Sequence, residues 1–155
     1  MRPRRTAALM LGVGGVTLGI ASVLVGRSHP GWWFAGESTT AFALELTAGA
    51  ALIGAGVAAW RRRPASRFGP LLALAGIAWF LPEWNNPDIA VSLVFTLGTA
   101  LVALGPPLVA HAALAYPDGG LRSRAAGALL VCAYAASGGL TGLLPALLFD
   151  PAGTG

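Results

Sequence analysis

Five long apolar stretches, at residues 6–26, 41–60, 68–84, 89–116 and 125–149, are separated by short polar links that hold most of the charge. A helix needs about 20 apolar residues to cross roughly 30 Å of hydrocarbon. The pattern predicts an all-α fold, an integral membrane helical bundle with about five transmembrane helices. The 155 residues are 55% hydrophobic and 10% charged, with mean hydropathy +0.70, against about 25% charged residues in ordinary soluble domains. A water-soluble chain of this size has too little interior to hide so much apolar surface. No linker divides the sequence, so residues 1–155 are expected to form one transmembrane domain with no soluble domain.

The first apolar stretch follows a basic tip, Met1 to Arg5. It exceeds the roughly 7–15 residues of a signal-peptide core and no small-x-small cleavage site follows, so an uncleaved membrane helix is expected. Trp32, Trp33 and Phe34 lie in the next link, where amphipathic rings suit the headgroup level. Pro70 and Pro82 fall near the ends of the third stretch, where a missing N–H costs least. Residues 89–116 are long for one crossing, and the surplus is expected to go into tilt or a kink at Pro106-Pro107. In the last stretch, Ser137-Gly138-Gly139 is expected to loosen the middle and Pro145 the outer end.

The formal charge of +4 comes from ten arginines, with no lysine, against six acids. Arginine clusters between apolar runs are orientation signals, and that placement argues against nucleic acid as a partner. Alternating the loops puts Arg2, Arg4, Arg5, Arg61, Arg62, Arg63, Arg67, Arg122 and Arg124 on one side and Arg27 alone on the other. The chain is therefore expected in a bacterial cell membrane, with its N-terminus in the cytoplasm and its C-terminus outside. Cys132 is alone, so neither an intrachain disulfide nor a cysteine metal site can form.

Few residues are candidates for chemistry. Glu45 is the acid inside a span, about four residues or roughly 6 Å below the outer boundary. Either it reaches the headgroups, or it joins Glu37, Glu83, Asp88 and Asp150 in an outer acidic set beside Trp32, Trp33, Trp79 and Trp84 that senses a cation, a drug or envelope stress. His111 lies near the inner end of the fourth span, something like 15 Å from Glu45. It is expected to bond neighbouring backbone or the carbonyls freed near Pro107, or to titrate at the inner interface. Small residues four apart, Gly15 with Gly19, Ala50 with Gly54 and Gly138 with Gly142, would each share a helix face and let another backbone approach. Gly12 to Gly15 lacks the Lys-Ser/Thr of a phosphate loop. No catalytic constellation, cofactor motif or metal spacing is present in the sequence.

The stretches RRRPASRFGPLLALAGIAWFLPEWNNP (Arg61 to Pro87), PPLVAHAALAYPDGGLRSR (Pro106 to Arg124) and LLPALLFDP (Leu143 to Pro151) resemble the N-terminal membrane regions of certain bacterial sensor histidine kinases. The most specific part is His-x2-Leu-Ala-Tyr-Pro-x-Gly, His111 to Gly119. The chain departs from the pattern at Gly120, where such proteins usually carry arginine. The resemblance implies the signal-input part of a two-component system, without the phosphoacceptor helix or the ATP-binding domain, and not an enzyme on its own. His111 is not a phosphoacceptor in this reading. An outside C-terminus fits the front part of such a kinase, from a split, frameshifted or incompletely sequenced gene. The partners implied are the lipid bilayer and either a second copy or the missing kinase part. A free-standing small membrane protein that regulates a partner is the alternative, with a transporter subunit behind it.

Overall fold

A computed structural model describes residues 2–28, 34–86, 89 and 91–148, and every regular element among them is helical. The order is α1 (Arg2–Ser28), α2 (Phe34–Glu37), α3 (Thr39–Arg62), α4 (Phe68–Ala78) with a 3-10 turn at Leu81–Trp84, α5 (Ser92–Leu101), α6 (Gly105–Leu114) and α7 (Arg124–Tyr134). The last continues through π-helical turns, Ala135–Leu143, into α8 (Leu144–Leu148). Ser38 and Ser123 start α3 and α7 by accepting the backbone N–H groups of Ala41 and Ala126, the usual service of a serine at a helix N-cap.

Three helices, Thr6–Arg27, Thr39–Arg62 and Arg124–Leu148, are long and apolar enough to cross a membrane, and a fourth joins them if the bent pair Ser92–Leu101 and Gly105–Leu114 is taken as one span. The segment Phe68–Trp84 falls short of that length. At 1.5 Å per residue it reaches only about 25 Å, and its α-helix already stops at Ala78, four residues before Pro82 removes the next N–H. Residues 89–116 also differ from the single kinked span expected. They form two helices meeting at 42°, because Pro106 and Pro107 in the first turn of α6 have no N–H for the carbonyls of Val102 and Ala103.

The short segment is the centre of the bundle. On α3 the buried residues are Ala41, Glu45, Gly49, Ile53 and Gly56, one stripe in steps of three and four. Opposite them α4 buries Gly69, Ala73 and Gly76, and the two backbones nearly touch. A Cβ at Gly76 would lie 2.7 Å from the Ile53 nitrogen. Phe80 then fills the space left by Gly19 on α1 and Gly49 on α3, and packs with Val23 and Ile53 as the apolar centre. Such close approach of small residues drives helix association in lipid.

Gly15 faces Ile53 and Ile77, and Gly142 lies on the Ala100 carbonyl, while Gly138 meets only the Leu104 side chain at 3.8 Å. A Cβ at Gly54 would meet no other part of the bundle within 4 Å. The close face of α3 therefore runs through Gly49 and Gly56 rather than Ala50 and Gly54, because one residue turns a helix face by about 100°. Within the π-helical stretch the Thr141 hydroxyl donates to the Ser137 carbonyl at 2.6 Å.

Two arginine loops meet at one end of the bundle. The Ser66 hydroxyl donates to the Pro117 carbonyl at 2.9 Å and accepts from the Phe68 N–H, and the Arg67 N–H donates to the Asp118 carbonyl at 3.4 Å. Gly119 is at φ +84°, with its α-carbon pressed on the Arg67 backbone. Side chains other than glycine rarely adopt that conformation. Gly119→Ala is expected to part the loops and to cost about 2 kcal/mol, read as lower thermal stability of the detergent-purified protein.

Polarity is inverted across the bundle. Ser22, Glu45, Glu83, Asn86 and Thr99 are buried, whereas Met10, Val13, Leu93, Leu129, Val131, Leu140 and Leu147 are each at least two-thirds exposed. Soluble proteins bury the second group and expose the first.

Candidate functional site: an acidic cavity beside the helix break

The end of the bundle opposite the arginine loops holds a layer of polar side chains between apolar walls. Ser22 on α1 donates to the Leu18 carbonyl and accepts the indole N–H of Trp84. The Thr99 hydroxyl on α5 has two acceptors for its single proton, the Asn85 side-chain oxygen at 2.7 Å and the Phe95 carbonyl at 3.0 Å. Polar groups buried in an apolar bundle must find such partners, because burying them unpaired is costly. This layer fixes the 3-10 turn against α1 and α5.

Beside it lies a cavity of about 260 Å³. Glu45 reaches it from the buried stripe of α3, and Trp79 donates a hydrogen bond to the Glu45 carboxylate. Glu83 lines it from the 3-10 turn but is only 2% exposed, its carboxylate turned against the α-carbon of Gly26. Any side chain at position 26 would occupy the carboxylate's place. The opposite wall is the helix break itself, Val102, Ala103 and Pro106, where the prolines leave two carbonyls without their usual helical donors. Phe34 closes one side. A carboxylate such as that of Glu45, in apolar and aromatic surroundings, suits a positively charged group or a proton, since a buried charge needs compensation. Among the described residues, no three His, Cys, Asp or Glu side chains come together as a metal set.

The two acids thus stand in one cavity although the sequence separates them by 38 positions. Trp84 is near but serves Ser22 instead. Glu37 is exposed on α2. Asp88, Asp150, Trp32 and Trp33 lie outside the described residues. Sequence reasoning missed Ser22, Gly26, Thr99 and the break-forming carbonyls as parts of this end. The hydroxyls inside apolar runs were the available signal for Ser22 and Thr99.

His111 stands elsewhere, lining a groove with Trp60 and Arg67 at the arginine end. Its Nδ1 lies 3.2 Å from the Tyr134 hydroxyl, with the two rings edge to face. Its side-chain partner is therefore on α7, a long-range pairing that spacing along the chain does not reveal. Arg61, Arg62 and Arg63 end α3 and begin the link to α4, and Arg122 and Arg124 flank the N-cap of α7. Arg27 is at the other end, its guanidinium 5.2 Å from the centre of the Phe42 ring, within cation–π range.

Fold and site together define an all-helical bundle with an apolar exterior and, at one end, a largely apolar cavity lined in part by Glu45 and Glu83. No protein-family model, curated protein or solved structure matches the chain.

Proposed function

We propose that this chain is a non-catalytic membrane input module. It spans the membrane five times, with the N-terminus and the arginine loops in the cytoplasm and the acidic cavity toward the outside. In this reading the cavity receives a cationic signal. The docked arginine loops carry the resulting shift in helix position to a cytoplasmic kinase part, as the resemblance to sensor histidine kinases implies. The carrying observation is the inversion of polarity, with acids inside and leucines and valines outside. A surface of that kind is stable in lipid. The short third segment then crosses by virtue of its neighbours, since protein surrounds it on several sides.

Green fluorescent protein fused after Gly155 tests the five-span topology. Dark cells with full-length fusion in the membrane fraction are expected, and bright cells would show an even number of crossings. In the gene, a histidine-kinase core downstream of Gly155, in frame or shifted, supports the kinase assignment. Unrelated DNA there favours the second reading, a free-standing regulator. That alternative draws on the last helix, of whose most apolar stretch only 11% is buried, leaving a long face for a partner. ATP-dependent autophosphorylation of the purified chain would overturn the non-catalytic role.

A further inference from the structure

The docking of the two arginine loops leaves a groove of about 530 Å³ between α4 and α6. Trp60 and Arg67 stand at its mouth and His111 on the α6 wall, while Pro70, Leu71 and Leu74 continue it inward. Arg67, Leu71 and Leu74 share one face of α4, and seven residues take the groove about 10 Å from the guanidinium into the apolar body. Cationic and hydrogen-bonding groups at the mouth and an aliphatic floor below are the complement of a phosphodiester joined to an acyl chain. A soluble anion would need only the first half.

The surrounding charge has the same sense. The two loops carry Arg61, Arg62, Arg63, Arg67, Arg122 and Arg124 against the single carboxylate of Asp118. Basic pockets between helices at a membrane face attract anionic headgroups, and each arginine there contributes appreciably. Tryptophan at the mouth is suited to the interface. Arg67 meets Asp118 through its backbone N–H, and the residue itself is exposed.

We infer that this groove is a binding site for one anionic phospholipid of the membrane leaflet on the arginine side, with the phosphodiester at Arg67 and an acyl chain along Leu71 and Leu74. The inference rests on the membrane reading above. It adds a lipid that joins the link after α3 to the wall of α6 and so stiffens the end where the loops meet.

The test is native mass spectrometry of the full chain, extracted in detergent and given equal phosphatidylglycerol and phosphatidylcholine. Preferential retention of one phosphatidylglycerol is expected. Arg67→Gln should lower it at least about fivefold, the factor for one arginine at the membrane surface, and clearly more than Arg122→Gln, an equal charge loss outside the groove. Leu74→Trp should also lower retention, with the charge intact, by filling the acyl end. Leu74 is 44% exposed, so the added ring does not enter the core. Equal loss in both arginine variants, equal retention of the two lipids, or displacement by millimolar inorganic phosphate would overturn the site. Release of the chain from membranes by alkaline carbonate would instead remove the membrane reading.

Discussion

Gly56→Leu is expected to cost the bundle its stability, while Gly54→Leu, two positions away, stays within about 0.5 kcal/mol of the wild type. Position 56 is where α3 and α4 meet backbone to backbone. A Cβ there would enter the space of the Ala73 backbone and the Gly69 carbonyl, and neither can swing aside as a flexible side chain does. Ordinary overpacking costs about 1–3 kcal/mol because side chains relax. Here the relief must come from separating two helices, so the loss exceeds that range. Gly54 faces open space, and a leucine there adds apolar surface like that already exposed at Leu44. Fluorescence-detected size exclusion of heated, detergent-purified protein reads both variants. An equal effect at the two positions would show that helix propensity rather than packing governs.

Phe80→Ala is expected to remove about 3–5 kcal/mol, the usual loss for a large buried aromatic. The ring is 1% exposed and packs on Gly19 and Gly49. Glycines have no side chains to lean into the hole, so the cavity persists and its lining loses dispersion contacts. This position also permits a coupled test. Gly49→Val alone is destabilising, because its Cβ would meet the Phe80 ring. In the Phe80→Ala background the same valine partly fills the hole, so the double variant should be more stable than the sum of the single losses allows. Additive losses in that cycle would mean that the ring and Gly49 do not share the space.

The helical class was legible in the sequence. Hydropathy over 20 residues is a sum, and it survives ignorance of which neighbour each residue meets. The arginine clusters mark links for the same reason. Pro106-Pro107 announced a disturbance, though the sequence did not say whether it would be a kink or a full break. The third segment shows the limit on the other side. Its apolar run extends from Phe68 to Trp84, yet regular α-helix stops at Ala78, because Pro82 and the packing of Phe80 and Glu83 favour tighter turns. Glu45 and Glu83 were both visible as acids within apolar stretches, but that they line one cavity was not.

What the sequence by itself determined is the one-dimensional part: long apolar helical segments, links with arginine, and a proline pair that interrupts one segment. These follow from composition over a turn or more and from covalent limits on the backbone. Only the tertiary structure decided which face of each helix looks inward. It put Gly49 and Gly56 rather than Gly54 against α4, gave Trp84 to Ser22 and Tyr134 to His111, and brought Glu45 and Glu83 to one cavity. Each residue turns a helix by about 100°, so a small rotation about the axis exchanges one set of contacts for another. That rotation is set by the interlocking of several helices at once, which no single segment encodes.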